Sequence, residues 1–217
     1  MSSFSLNVTI DNAILKTGSD DKLVIARKVN GSLNAVFDGY SIAPNTQWKT
    51  LLKTNEFKWS DSYKVFLVSS VNPGDSVIAN TNEVEIPFDY LTKYADNQLA
   101  DPALKQAAGF FAKPGSFGIA DVPMQLHAGV KMSTAGGSWA TIYVDRSNHV
   151  GKTRITLQPQ NEYFLIWKNE VSTETIWALT ESDGQKVVFK DGETKKAIRY
   201  GYAKPDAPTA GEDPAWY

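Results

Sequence analysis

The stretch FSLNVTI, residues 4–10, decides the fold class because its side chains alternate between apolar and polar. A period of two is typical of a β-strand that buries one face and exposes the other. Further along, the runs 22–29 and 33–37 flank the dipeptide Asn30-Gly31. Both residues of that dipeptide tolerate a positive φ, so it predicts a tight turn between two antiparallel strands. The sequence thus opens as a β protein with a hairpin.

The same β pattern recurs along most of the chain. Short apolar or alternating runs stand between turn-forming residues, and roughly a dozen strands fit this spacing. The run YFLIW, residues 163–167, is apolar on both faces and is expected to lie between two layers. We predict a mainly β fold, an antiparallel β-sandwich with one short helix. A closed β-barrel is the alternative.

The pattern breaks between Pro87 and Gly137. Asp101-Pro102 is typical of a helix start, and good helix formers follow it, which predicts a short helix at Ala103–Ala108. Alternation returns in MQLHAGVKM, residues 124–132, where His127 falls on the polar side of the strand. We therefore predict a single β-rich domain over residues 1–202, with an irregular insertion at about 88–123.

The composition changes again at the C-terminal end of the sequence. Residues 203–217, AKPDAPTAGEDPAWY, contain three prolines and no apolar run before their end. Segments of this kind bury too little apolar surface to offset the entropy of ordering them. We predict that residues 203–217 form a flexible, loosely attached tail.

Composition excludes several classes of function. The 217 residues carry a formal net charge of -2 and include no cysteine, so disulfides, thiolate nucleophiles and zinc–thiolate sites are ruled out. No clustered basic face is evident, so no nucleic-acid partner is expected. The sequence has neither a signal-peptide pattern nor an apolar run of about 18 residues, the length that spans a membrane. The expected location is cytoplasmic, with no membrane span.

Motifs for enzymatic chemistry are also missing from the sequence. It contains no G-x-S-x-G elbow and no phosphate-binding glycine loop. Glu83 and Glu85 stand at i and i+2 of one short strand, a pattern typical of a solvated face rather than of two carboxylates across a cleft. We expect a non-enzymatic protein.

Aromatic side chains, joined by a methionine, gather in and beside the insertion. The candidate ligand-binding residues are Phe88, Tyr90, Tyr94, Phe110, Phe111, Phe117, Met124 and Trp139. An apolar pocket lined by them would suit a flat aromatic ligand, with tyrosine hydroxyls and loop amides as polar handles. The alternative is that these side chains are core packing that fixes the insertion onto the sandwich.

The two histidines, His127 and His149, are the candidate metal ligands. A zinc site would need both of them and a carboxylate such as Asp121 or Asp145. Because the histidines lie far apart in the sequence, the other interpretation places His127 on the exposed face of a strand and His149 in the 148–151 turn.

Three segments carry a resemblance to proteins of mushroom fruiting bodies. They are FSLNVTI, VNGSLNAVF (residues 29–37) and FKWSDSYKVF (residues 57–66). The cysteine-free chain is similar in general character to the pink chromoproteins of oyster mushrooms. That resemblance implies a non-enzymatic pigment carrier with a small indolone-type chromophore and zinc. It transfers no residue role, because no diagnostic motif is shared.

The leading hypothesis is a chromoprotein that holds a small aromatic pigment in an apolar aromatic pocket. Burial and stacking would hold the ligand, and a few hydrogen bonds would tune its absorption. The alternative is a carbohydrate-binding lectin or a membrane-active defence protein, which would carry exposed Trp and Tyr on loops at one end of the sandwich. A homodimer is a further expectation.

Overall fold

A computed structural model describes residues 2–43, 49–102, 105–169 and 175–217. The described chain is mainly β with one short α-helix, which confirms the predicted fold class. The helix α1 spans Asn12–Leu15, and two 3-10 helices span Ala135–Gly137 and Glu181–Asp183. The strands, in chain order, are β1 (Ser3–Ile10), β2 (Lys22–Val29), β3 (Leu33–Ser41), β4 (Lys49–Thr50), β5 (Thr54–Val68), β6 (Val84–Glu85), β7 (Leu91–Ala95), β8 (Gln98–Leu99), β9 (Phe117–Val122), β10 (His127–Thr134), β11 (Trp139–Val144), β12 (Thr153–Leu157), β13 (Pro159–Lys168), β14 (Ile176–Leu179), β15 (Gly184–Val188), β16 (Lys195–Gly201) and β17 (Ala215–Trp216).

Within the described residues these strands form three sheets. The first has the order β11-β10-β5-β1-β16-β17, with β6 beside β5. The second has the order β14-β3-β2-β13-β15, with β4 beside β3, and the third has the order β12-β9-β7-β8. Neighbouring strands are antiparallel except in the pairs β1–β16, β3–β4 and β7–β9, which are parallel. The described hydrogen-bond ladders leave both large sheets open at their edges, which fits a sandwich better than the closed alternative.

The main core lies between the two large sheets. The rings of Trp59 in β5 and Tyr163 in β13 have centroids 4.5 Å apart, and the Trp59 indole N–H donates to the Tyr163 hydroxyl at 2.7 Å. Phe4 of β1 packs edge-on against Phe189, with ring centroids 5.3 Å apart. The two sheets are therefore joined by interdigitating aromatic side chains, which bury large apolar areas.

Strand β13 is buried on both faces, as its YFLIW run predicts. Tyr163 and Leu165 point into the main core, whereas Phe164 and Ile166 belong to a second cluster on the opposite face. That second cluster is covered in part by Trp177. The sequence of a strand that is buried on both sides is a continuous apolar run instead of an alternating one.

The predicted hairpin is confirmed. Strands β2 and β3 pair antiparallel on either side of Asn30-Gly31, whose φ angles are 51° and 80°. Both values lie in the left-handed region, which glycine and asparagine adopt more readily than other residues. The local chemistry of the turn therefore fixes how these two strands pair.

The insertion at 88–123, which we expected to be irregular, contains β7, β8 and β9 and so builds most of the third sheet. Its strands are short, the chain turns sharply at Asp89, Asp96 and Asn97, and β9 has an irregularity at Asp121; all four residues have positive φ. Aspartate and asparagine tolerate that conformation, so the turns form without the glycines that usually mark them.

The predicted helix at Ala103–Ala108 is wrong for residues 105–108, which form an isolated bridge, extended chain and a turn. Ala103 and Leu104 lie outside the described residues. The backbone here has strand-like partners: Tyr90 bridges to Lys105, and the Gln106 N–H donates to the Asp89 carbonyl at 2.7 Å. Bonds to residues distant in sequence have replaced the local bonds that a helix would need. The short helix lies instead at Asn12–Leu15.

Residues 203–217 pack back against the β domain, and their last residues pair with β16. Strand β17 pairs antiparallel with β16, and Arg199 and Tyr217 exchange two backbone hydrogen bonds of 2.9 and 2.7 Å. The Arg199 guanidinium also lies 4.3 Å from the centre of the Tyr217 ring. This docked arrangement differs from the tail that composition favours, because the polar groups of the segment have specific partners on the body. The domain boundary at residue 202 stays a prediction.

The carboxylate of Asp11 holds this segment in place. It is buried, and it accepts hydrogen bonds from Arg199 Nη1 at 3.1 Å, the Tyr202 N–H at 2.9 Å and the Asp206 N–H at 3.3 Å. Gly201 makes the approach feasible, since a Cβ at that position would stand 2.1 Å from the carboxylate. One side chain therefore ties the residues after β16 to the start of α1.

We expect Asp11→Asn to loosen residues 203–217. The amide keeps one acceptor oxygen but replaces the other with a donor, which leaves partners of the carboxylate unsatisfied at a cost of about 1–3 kcal/mol. Hydrogen exchange at the Arg199 and Tyr217 amides should accelerate. Glu193→Gln, which removes a carboxylate paired with Lys196 on the surface, is the matched control. Unchanged protection of both amides in Asp11→Asn would contradict the assigned role.

Candidate ligand-binding site

The predicted aromatic cluster is divided by the fold, and one part of it forms a compact group. Phe88 and Phe117 have ring centroids 6.2 Å apart, and both pack against Tyr63 of β5, at 5.3 and 5.4 Å respectively. Tyr63 was not among the candidate residues. Its place in FKWSDSYKVF, in phase with the apolar positions of a strand, marks it as buried but does not reveal which aromatic residues it meets.

Phe110 and Phe111 form a separate pair. Their rings are nearly perpendicular, with centroids 5.0 Å apart, and the guanidinium of Arg154 lies 4.6 Å from the centre of the Phe110 ring. Phe111 is buried and contacts the backbone of β9 closely enough that a Cβ on Gly118 would stand 3.2 Å from its ring. These two side chains attach the loop to the third sheet, as the core-packing alternative expects.

The remaining candidates do not join either group. Tyr90 and Tyr94 are half-buried against the main core, and the Tyr94 hydroxyl donates to Asn97 Oδ1 at 3.0 Å. Met124 lies in a turn and is 63% exposed. Trp139 opens β11, where the Lys64 ammonium lies 4.6 Å from its ring centre. The structure therefore does not bring the eight predicted residues into one pocket.

A cavity of about 420 Å³ opens beside the Tyr63–Phe88 contact. We call it the Tyr63–Phe88 cleft. Its lining residues are Ser2, Asp61, Ser62, Tyr63, Glu85, Ile86, Pro87 and Phe88. Apolar and aromatic walls with a few polar groups are typical of sites for small organic ligands, and the volume falls in the usual range. One wall comes from β5, and the other comes from the end of β6 and the segment that follows it, residues 85–88.

The charged residue Arg27 lies directly behind the cleft. Its side chain is 1% exposed, and both terminal nitrogens lie 3.3 Å from Asp61 Oδ1. Its Nε donates to the Gln160 carbonyl at 2.9 Å, and its Nη2 donates to Asn161 Oδ1 at 3.1 Å. A buried charge is tolerated when it is paired and hydrogen-bonded in this way.

Two tyrosine rings flank the Arg27 guanidinium. Its central carbon lies 5.3 Å from the centre of the Tyr63 ring and 5.1 Å from that of Tyr163. Burial disfavours the phenolate form, so it raises the pKa of Tyr63 well above its usual value and that of Tyr163 to about 12. Both phenols therefore stay neutral at physiological pH, and the Tyr63 hydroxyl donates to Asp61 Oδ1 at 2.6 Å.

The fold brings the two candidate metal ligands close together. His127 begins β10 and is 8% exposed, which corrects its predicted place on an exposed face. It pairs with Val68, and the face of the sheet that carries Val68 is itself covered by a second apolar cluster. The His127 ring centroid lies 5.8 Å from that of His149, whose Nε2 lies 3.3 Å from Asp145 Oδ2 without hydrogen-bond geometry. Even so, no group of three or more His, Asp or Glu side chains among the described residues is arranged to hold a metal ion. These residues do not fit a ready-made zinc site.

Comparison with known proteins gives no relative. No protein-family model matches the chain, and neither a curated protein nor a solved structure matches it. The resemblance to fruiting-body chromoproteins stays a prediction. In the described part of the chain, none of the helices has the length and apolar character needed to cross a membrane.

We expect stability to fall as the pH rises from about 10, the pKa of an exposed tyrosine, towards 12. The pKa of Tyr163 is higher in the folded protein than in the unfolded chain. The neutral phenol therefore contributes its full stability below the pKa of the unfolded chain. This contribution is lost as the pH rises through the pKa of the folded protein. Tyr163→Phe should make the free energy of unfolding less dependent on pH in this range. It should also cost about 1–3 kcal/mol at neutral pH, because it removes the acceptor of the Trp59 N–H.

Urea unfolding at a series of pH values measures both effects. Tyr94→Phe, which removes the hydroxyl of a half-buried tyrosine outside the main core, is the matched control. An unchanged pH dependence in Tyr163→Phe would contradict the assignment.

Proposed function

We propose that this protein is a non-enzymatic binding protein that holds a small aromatic ligand in the Tyr63–Phe88 cleft. The supporting observation is that an apolar, aromatic-walled cavity stands directly in front of the buried Arg27–Asp61 pair. A pigment is the ligand that the resemblance implies, and a chromoprotein is therefore the leading form of the proposal.

Stacking and burial are the forces that would hold such a ligand. Phe88 is half-buried and lies at the end of the cleft, where its ring is already offset-stacked on Phe117. A flat ligand would extend this stack towards Tyr63 and Ile86. Aromatic contacts of this kind contribute about 0.5–1.5 kcal/mol each beyond the buried area.

The lining of the cleft supports binding rather than catalysis. Ser2 and Ser62 contribute hydroxyl groups to it, but neither histidine belongs to the lining. A serine nucleophile needs a general base within hydrogen-bond reach. The hydrogen bonds of Arg27 and Tyr63 to Asp61 Oδ1 hold that carboxylate in place, and no hydrogen bond between it and either serine is present among the described residues.

The lectin or membrane-active alternative has less support. It requires exposed Trp and Tyr rings at one end of the sandwich. Among the side chains that the structure describes, Tyr217 is the one aromatic residue that is mainly exposed, at 54%. Zinc is not part of the proposal, since no three described histidine and carboxylate side chains are arranged to hold a metal ion. The homodimer and the cytoplasmic location stay predictions.

We expect protein purified in its native state to carry a visible absorption band that organic extraction removes. For the ligand-free protein, fluorescence titration with the neutral probe naphthylmethanol should detect binding in the cleft. Phe88→Ala should weaken that binding about tenfold, because it deletes one stacking surface.

Trp139→Ala is the matched control, since it removes another predicted aromatic residue that lies outside the cleft. The proposal would be abandoned if no probe bound, or if Trp139→Ala weakened binding as much as Phe88→Ala did.

A further inference from the structure

We propose that the ligand of the Tyr63–Phe88 cleft is an arylalkylamine, a flat aromatic ring system with a protonated aliphatic amine whose nitrogen donates to Asp61 Oδ2. This inference rests on the proposed function, and it names the chemical class that the cleft selects.

The two oxygens of the Asp61 carboxylate are used unequally. Oδ1 accepts from Arg27 Nη1 and Nη2, each at 3.3 Å, and from the Tyr63 hydroxyl at 2.6 Å. None of the hydrogen bonds of the described residues ends on Oδ2. The side chain is 18% exposed and lines the cleft, so the second oxygen is left for water or for a ligand. Carboxylate oxygens form their strongest hydrogen bonds with charged donors.

The carboxylate is also held rigidly. Arg27 is locked by Gln160 and Asn161 and lies between the Tyr63 and Tyr163 rings. The backbone of Asp61 is fixed as well, because its N–H donates to the Ser2 carbonyl at 3.0 Å. Ligand binding would therefore not incur the entropic cost of ordering this acceptor, because folding has already fixed it.

The charge of the cleft favours a cation. Among the described residues of the lining, Asp61 and Glu85 are the charged ones, and none is a lysine, arginine or histidine. The charge of Asp61 is offset by Arg27 from behind. Glu85, at the exposed rim, makes no ion pair with the described residues. An aromatic carboxylate would be repelled by the unpaired Glu85 at the rim and by Asp61 inside. Such repulsion makes the cleft selective against anionic ligands.

A series of probes that share one ring system tests the inference. The cation naphthylmethylammonium, the neutral naphthylmethanol and the anion naphthylacetate differ mainly in the head group. At neutral pH and low salt we expect the cation to bind about tenfold more tightly than the alcohol, and the alcohol more tightly than the anion. Raised salt should narrow the difference only partly, because Asp61 is largely shielded from solvent.

Asp61→Asn sharpens the test. The asparagine keeps an oxygen to accept from Arg27 and Tyr63 and offers an amide N–H₂ where Oδ2 stands, so the preference for the cation over the alcohol should be lost. Glu193→Gln, which removes one negative charge from a residue outside the lining of the cleft, should keep that preference. If Asp61→Asn fails to fold because Arg27 loses its counter-charge, the probe series on the unmodified protein decides the matter.

The outcomes separate the two proposals. Binding of the alcohol and the anion as tightly as the cation would overturn the amine inference while leaving a neutral aromatic site in place. A cation preference that survives in a folded Asp61→Asn would also overturn it. Failure of all three probes to bind would overturn the proposed function together with the inference.

Discussion

The buried guanidinium of Arg27 is the constraint on which the centre of the molecule depends. Removing an ion from water costs several kcal/mol even after relaxation. The chain meets that cost with acceptors from both large sheets: Asp61 from β5, whose carboxylate also accepts from the Tyr63 hydroxyl, and Gln160 and Asn161 from β13. Met132 of β10 adds a sulfur 2.9 Å from Nη1. Because these groups satisfy one cation together, they favour the register in which the two sheets face each other here.

Two other buried polar side chains, Asn34 and Asp11, also connect segments that no backbone ladder joins. Asn34 of β3 donates to the Val144 carbonyl at 2.6 Å and accepts from the Val144 N–H at 3.1 Å. Its amide thus pairs with β11 of the first sheet in the manner of a neighbouring strand. Asp11 does comparable work at the C-terminal segment. Both side chains are buried, so a missing partner would leave a polar group unsatisfied.

Local patterns predicted the strands well because they depend on neighbours in the sequence. The hairpin at Asn30-Gly31 and the doubly buried YFLIW strand follow from turn chemistry and from side-chain periodicity. The third sheet did not follow, because its turns use Asp89, Asp96 and Asn97 in a conformation that glycine usually marks. The predicted helix is absent at residues 105–108 because non-local bonds to Asp89 and Tyr90 overrode helix propensity.

The candidate site was predicted only in part. Phe88 and Phe117 belong to the aromatic group at the cleft, but Met124 and Trp139 lie elsewhere, and Tyr63 and Arg27 were missed. A fully buried arginine carries no signal in a sequence, since the same residue in the same strand pattern would usually be exposed. The proximity of His127 and His149 could not be predicted from the sequence either. It depends on where β10 begins and where the chain runs after β11.

The central place of β1 in the first sheet has a consequence for how the chain is made. This strand pairs with β5 on one side and, in parallel, with β16 on the other, so that Ser5 is aligned with Lys195. During synthesis the second ladder of β1 stays open until almost all of this sequence has left the ribosome. Pairing across such a sequence separation is slow, and an uncovered strand edge is a template for wrong partners. Nascent chains are therefore exposed to aggregation for most of translation, and chaperone binding to this edge would shorten that exposure.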